Sequence, residues 1–315
     1  MNVIPLAADS LGVRSMATYV ECGQTRILID PGSTMAPNRF GLPPADEEWE
    51  ALRRANDRIS AYVLRAGMIF LSHYHEDHFR HDPGLYRGRT VWAKDARRMI
   101  NPRQAQRASE LWKSIERDCR LDAAEGRVLE TPEARLSASP PLAHGTEGTG
   151  LGYVVALTVT DLREGKRFVH ASDVQGPLSA VAAAYLIRER PDLLYLSGPP
   201  TYLESQLGPA LIDHGVEQLL RVIDQTGCRV ILDHHALRAE GYPDRLRSLW
   251  ATGRVVTAAG FLGLEDAPLE SRRRRLWAGK RKPAARMAPR LNGRDRSDMI
   301  EARRDMRRAK GGAAE

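Results

Sequence analysis

The stretch that leaves this chain the fewest structural options is residues 68–78, Met-Ile-Phe-Leu-Ser followed by His73-Tyr74-His75-Glu76-Asp77-His78. The apolar run has the length of a buried strand. It delivers three imidazoles and a carboxylate at H-x-H-x-D-H spacing, a density of ligand groups for which a hydrophobic core has no use. Side chains alternate along extended chain, so His73 and His75 point to one side, toward a common ion, and Tyr74 points away. Asp77 and His78 come after the turn, where this reading opens a helix. From there they address a second ion, at the roughly 3.5–4 Å separation that two-metal hydrolases use. A solvated polar loop, the plain alternative, needs neither three histidines nor this order.

The rest of the chain alternates apolar runs with turn signals. Residues 3–6 and 17–22 read as strands, and residues 24–30 as the second arm of a hairpin. Asp30 closes that arm before Pro31-Gly32, either as a turn former or as a hydrogen-bonding support for the site. Residues 33–45 carry no recognisable chemistry, and Trp49, Leu52, Ile59 and Val63 mark an amphipathic helix closed by Gly67. Residues 90–93 form a short strand, and Asn101-Pro102 starts a helix that runs toward Cys119. Residues 137–152 read as a loop carrying His144, which taken alone is a plain loop histidine. Residues 152–160 and 167–173 read as a hairpin whose second arm ends in Asp173. Strands follow at 193–197, at 229–233 (ending in His234-His235) and at 255–257, with helices at 209–225 and around 246–250. His214 reads as a helical surface residue and His170 as a hydrogen-bonded core residue. Early hairpins followed by strand–helix alternation imply two packed sheets with helices outside.

Composition narrows the function classes. An apolar content of 42% with 28% charged residues suits a soluble globular protein, and no apolar run approaches the twenty residues of a membrane span. The N-terminus lacks the basic region of a secretion signal. Cys22, Cys119 and Cys228 are odd in number and widely spaced, which suits a reducing compartment, and the expectation is a cytoplasmic protein. The net charge of +7 is concentrated at one end. Residues 271–315 hold 16 Lys and Arg against 5 Asp and Glu, a surplus of +11, which leaves residues 1–270 at −4. The high pI therefore says nothing about the substrate of the body. The expected division is a folded unit over 1–270 and a basic, disordered tail over 271–315.

Asp30, His73, His75, Asp77, His78, His144, Asp173 and His234 share one property: each sits at the C-terminal end of an expected strand or in the turn after it. In this order the elements resemble the metallo-β-lactamase superfamily, over roughly residues 1–265. The strings Ser-His-Tyr-His, Ser-Asp-Val-Gln-Gly-Pro, Gly-Pro-Pro-Thr-Tyr and Leu-Asp-His-His, with the opening Val-Ile-Pro-Leu-Ala and Leu11-Gly12-Val13-Arg14-Ser15, are similar to one branch of it. That branch consists of uncharacterised metallohydrolases described mainly from archaea. The resemblance implies a four-layer αββα sandwich and two divalent metal ions, zinc first, with manganese or iron tolerated. It further implies that His73, His75 and His144 hold one metal, that Asp77, His78 and His234 hold the other, that Asp173 bridges them and that Asp30 supports them from behind. His235 competes with His234 as the last ligand and otherwise serves as a proton donor or substrate contact. The catalytic residues expected are Asp77, Asp173 and His235, with His81 and Tyr202 as further candidates for a proton donor.

The expected activity is metal-dependent hydrolysis of a phosphodiester or nucleic-acid-like substrate. Lactone or thioester hydrolysis at the same site is the second class, and a mononuclear-iron thiol dioxygenase is a third. A reading from another class makes the chain a nucleic-acid-binding module, contacting its partner through the tail and holding its metals for structure.

Overall fold

The computed structural model of the protein describes residues 1–280, and the basic stretch beyond Lys280 lies outside the described residues. Six strands make the first sheet, in chain order: β1 (Asn2–Pro5), β2 (Thr18–Cys22), β3 (Thr25–Ile29), β4 (Met68–Leu71), β5 (Thr90–Ala93) and β6 (Arg120–Ala123). The first three are an antiparallel meander, and β3 to β6 run parallel. Parallel neighbours need crossovers, supplied here by α1 (Asp46–Val63) between β3 and β4 and α2 (Pro102–Ile115) between β5 and β6. The second sheet holds β7 (Val128–Glu130), β8 (Ala134–Ala138), β11 (Leu157–Asp161), β12 (Arg167–Ser172), β13 (Leu193–Ser197), β14 (Arg229–Asp233) and β15 (Val255–Val256). Its strands β12 to β15 are parallel, crossed by α3 (Ala180–Glu189), and by the short α4 (Glu204–Leu207) that leads into α5 (Pro209–Thr226).

Three buried clusters show how the layers stack. Ile27, Ile29, Phe70 and Trp92 of the first sheet pack against Leu136, Val159, Phe168, Tyr195 and Ile231 of the second. The opposite face of the first sheet, Leu28, Ile69, Leu71 and Val91, covers Ile59 and Val63 of α1 and Leu111 and Ile115 of α2. Val169, Leu194, Leu196 and Leu232 of the second sheet cover Leu186 of α3 and Leu219 and Val222 of α5. Strands buried on both faces explain the near-continuous apolar runs at 68–71, 193–197 and 229–233. The result is the four-layer αββα sandwich of the metallo-β-lactamase fold. In-register parallel pairing, Ile29 beside Phe70 and Ser197 beside Asp233, aligns the C-terminal ends of β3, β4, β12, β13 and β14 along one edge.

Several local expectations need correction. No helix opens at Asp77. The His78 N–H donates to the His75 carbonyl at 2.9 Å, closing a tight turn, and the next helical residues are Pro83–Leu85. Residues 137–152 are not one loop: β8 extends to Ala138, and β9 (Leu142–Ala143) pairs with β10 (Tyr153–Val154). The arm expected over 152–160 breaks between β10 and β11, because the Val155 N–H leaves the sheet to donate to the Ser72 carbonyl at 3.0 Å. Helix α3, capped by the Ser179 hydroxyl, and strands β6 to β8 went unforeseen. The body also extends beyond residue 270. Arg273 is fully buried against Glu48 at 2.7 Å, Trp277 bonds the Pro43 carbonyl and Lys280 bonds Glu47, so the segment to Lys280 packs with the body.

Candidate metal centre

The aligned strand ends and neighbouring turns bring together Asp30, His73, His75, Asp77, His78, His144, Asp173, His234 and His235. Three of those ends bend sharply: Asp30, Ser172 and His234 take left-handed backbone with φ of 46°, 51° and 62°. Non-glycine residues hold that conformation only where the surroundings over-determine it, as at binding sites. Two glycines let the chain close around these turns. A Cβ at Gly32 would lie 2.3 Å from the Phe79 nitrogen, and one at Gly198 would lie 2.4 Å from the Ala236 Cβ.

His73 Nε2 and His144 Nε2 lie 3.0 and 3.2 Å from His75 Nδ1, and His144 Nε2 lies 3.2 Å from Asp173 Oδ2. Four N/O atoms each about 2.0–2.2 Å from a tetrahedral ion stand roughly 3.3 Å apart, so this group has the dimensions of a metal site. On the other side of Asp173, His234 Nε2 is 3.4 Å from Asp77 Oδ2 and 3.6 Å from Asp173 Oδ1, while His78 Nε2 is 3.4 Å from Asp173 Oδ2. Asp173 is thus common to both groups. His235 Nε2 also faces it at 3.4 Å, which brings His235 into the cluster beside His234. Two buried atoms in the middle, His78 Nε2 and Asp173 Oδ1, have no hydrogen-bond partner. A buried polar atom without a partner is costly, and two of them at neighbouring residues, with His78 Nε2 3.4 Å from the same Asp173 carboxylate, fit a place for a cation.

The outward ring nitrogens are held from behind. His78 Nδ1 donates to Asp30 Oδ2 at 2.9 Å, and Asp30 also accepts from the Ser72 N–H at 2.8 Å and the Ser72 hydroxyl at 2.6 Å. His234 Nδ1 donates to Asp9 Oδ2 at 2.7 Å; Arg238 ties Asp9 to Asp77 at 3.0 and 3.2 Å. The Ser72 hydroxyl meets His73 Nδ1 at 2.9 Å, Gln104 meets His75, and Gln175 meets His144, each amide at 3.3 Å. The Tyr202 hydroxyl lies 3.2 Å from His235 Nδ1. Such partners fix the ring tautomer and orient metal ligands. Burial pulls His73 down to about 4 and His235 to about 3, and holds His75 well below the ordinary imidazole value, so these rings are neutral. His78 goes the other way: burial opposes its charge, but the Asp173 and Asp30 carboxylates overcome it.

Asp30 backs His78 through a hydrogen bond, and Tyr74 points away into the cluster between the first sheet and helices α1 and α2. His170 is a core residue near the Met16 carbonyl at 3.2 Å. His81 is 39% exposed, faces Glu76 at 3.6 Å and belongs to none of the ligand groups. Sequence reasoning missed Asp9, Gln104, Gln175 and Arg238. Two of them had a signal: Gln175 lies inside the string Ser-Asp-Val-Gln-Gly-Pro, and Asp9 lies between two of the other strings on which the family resemblance rests.

No family model matches the chain. It is 41% identical to a UPF0282 protein of Thermococcus gammatolerans, over 89% of this chain and 96% of that protein. The chain belongs to the UPF0282 family. Further UPF0282 proteins are those of Methanopyrus kandleri, 39% identical over 87% of this chain and 98% of its own length, and of Pyrococcus furiosus, 38% identical over 88% and 92%. Among solved structures, this UPF0282 chain is similar to unliganded yeast PDE1 (11% identical, 81% of this chain and 97% of that one, TM-score 0.46). It is also similar to zinc-bound PqqB from Methylobacterium extorquens (10%, 82% and 98%, TM-score 0.45). These are distant likenesses of shape.

Proposed function

We propose that this UPF0282 protein is a hydrolase with a binuclear metal centre, acting on a phosphodiester. The observation that carries the reading is the pair of ligand groups sharing Asp173, with unpartnered His78 Nε2 and Asp173 Oδ1 between them. In this reading His73, His75 and His144 hold one ion, Asp77, His78 and His234 the other, and Asp173 spans both; zinc suits such an N/O set, and manganese or iron is tolerated. When bound, such cations lower the pKa of water toward about 7 and offset negative charge on a phosphoryl oxygen. Asp173 orients the attacking water. In the tautomer in which His235 Nδ1 accepts from the Tyr202 hydroxyl, 3.2 Å away, the His235 Nε2–H turns inward as a hydrogen-bond donor for the leaving oxygen. Arg238 holds Asp77 in place through its guanidinium. An anionic substrate is favoured by the guanidiniums of Arg39 and Arg238, which flank the Tyr202 ring at 5.2 and 5.9 Å.

Three unpaired cysteines, Cys22, Cys119 and Cys228, support a cytoplasmic setting. No helix among the described residues is long and apolar enough to cross a membrane. The test is turnover of bis-p-nitrophenyl phosphate, lactones and thioesters by the metal-loaded full chain, with elemental analysis and Asp77→Ala as control. The diester is expected to turn over, and the variant to lose at least about a hundredfold. Equal rates for both proteins on every substrate sink the reading.

A further inference from the structure

Two segments without assigned chemistry meet beside the centre: residues 33–45 and the first turn after Glu270. Arg273 joins them. Fully buried, it bonds both Glu48 oxygens at 2.7–3.1 Å, the Ala36 carbonyl at 2.8 Å and the Leu42 carbonyl at 3.1 Å. Trp277 Nε1 donates to the Pro43 carbonyl at 2.9 Å. Pinned this way, the turn of Arg39 and Leu42 projects Phe40, an exposed ring on left-handed backbone with φ 58°.

Charge and rings alternate from there toward the metal ligands. The Arg274 guanidinium lies 4.3 Å from the centre of the Phe40 ring, and the Arg39 guanidinium lies 4.7 Å from that ring and 5.2 Å from Tyr202. Tyr202 then meets His235. Arg39 Nη2 donates to the Arg238 carbonyl at 2.8 Å, while its buried Nε has no hydrogen-bond partner, the nearest acid being Glu270 Oε1 at 3.8 Å. Glu270 already holds Arg14 through two bonds of 2.6 and 2.8 Å. A guanidinium lying on an aromatic face keeps its in-plane N–H groups available, in the fork that matches phosphate.

We infer that Arg39 and Arg274, backed by Phe40 and Tyr202, bind a second phosphate of the substrate, beyond the one that is cleaved. This rests on the phosphodiester reading and narrows its substrate to esters carrying at least two phosphates. Residues 1–280 carry a net charge of +1, so the guanidiniums gathered around Phe40 and Tyr202 stand out against a nearly neutral body.

The test is calorimetric binding to the metal-loaded full chain, which needs no turnover. The probes are thymidine 5′-monophosphate, thymidine 5′-diphosphate and thymidine 3′,5′-bisphosphate. One of the two bisphosphorylated probes is expected to bind at least about tenfold tighter than the monophosphate, and which one does so separates an adjacent second phosphate from one across the sugar. Arg39→Ala with Arg274→Ala should bring the gain within about twofold at unchanged metal content. Arg274→Glu alone changes an exposed side chain, so its fold is safe, and it should weaken the favoured probe by a similar factor. Equal affinity for all three probes in the wild type overturns the inference, as does a gain that survives in the variants. Failure of the phosphodiester reading shows elsewhere: the p-nitrophenyl esters of thymidine 5′-phosphate and of thymidine 3′,5′-bisphosphate would then both go uncleaved.

Discussion

Glu270 shows what a single buried acid does here. Its carboxylate takes two bonds from Arg14 and lies near Arg39. Burial alone would push its pKa up, but the Arg14, Arg238 and Arg39 guanidiniums bring it down to about 2 from the ordinary 4.5. Because the folded value is depressed, the stabilisation is complete above about pH 4.5 and is lost as pH falls toward 2. Linkage puts its size on the order of 3 kcal/mol. Urea unfolding at pH 5 and pH 3 should therefore show the wild type losing stability over this interval, and Glu270→Gln, already destabilised, losing less. Parallel slopes for the two proteins would exclude this role for Glu270.

At the level of elements, the centre depends on how closely the turn after β3 approaches the turn carrying His78. Gly32 permits that approach, since any side chain there would meet the backbone of His78 and Phe79 at 2.3–2.6 Å. Gly32→Ala should cost about 1–3 kcal/mol and lower zinc occupancy at the Asp77, His78 and His234 group, as read by chemical denaturation and elemental analysis. Full occupancy with unchanged stability would show that the turns have slack. What the sequence made legible follows from the same geometry. β4, β13 and β14 are apolar runs buried on both faces, and H-x-H-x-D-H is a local pattern, so strand positions and the first candidate ligands could be read directly. Supports such as Arg238 could not, because the hydrogen bonds it makes with Asp9 and Asp77 join residues 229 and 161 apart and leave no periodicity on the chain. Nor could the break at Val155, which one backbone bond to Ser72 decides. β7, all three of its residues exposed, lacked the apolar alternation by which strands are found.

Across the whole molecule, the Arg273–Glu48 pair ties the far end of the described chain to the first crossover helix. Breaking a buried ion pair by removing one partner costs about 3–5 kcal/mol, since the other charge stays buried. A chain ending at residue 270 should therefore be destabilised by that order in urea, relative to one ending at residue 280, which keeps Arg273. Equal midpoints for the two would mean that Glu48 finds another partner. The position of Arg273 also bears on synthesis. The side chains gathered around Asp173, from Asp9 to Arg238, have all left the ribosome before Arg273 does. A chain stopped in that interval owns every residue of the proposed metal centre, yet lacks the pin for the wall around Phe40, so the proposed capacity for metal is made before the proposed means to choose among substrates.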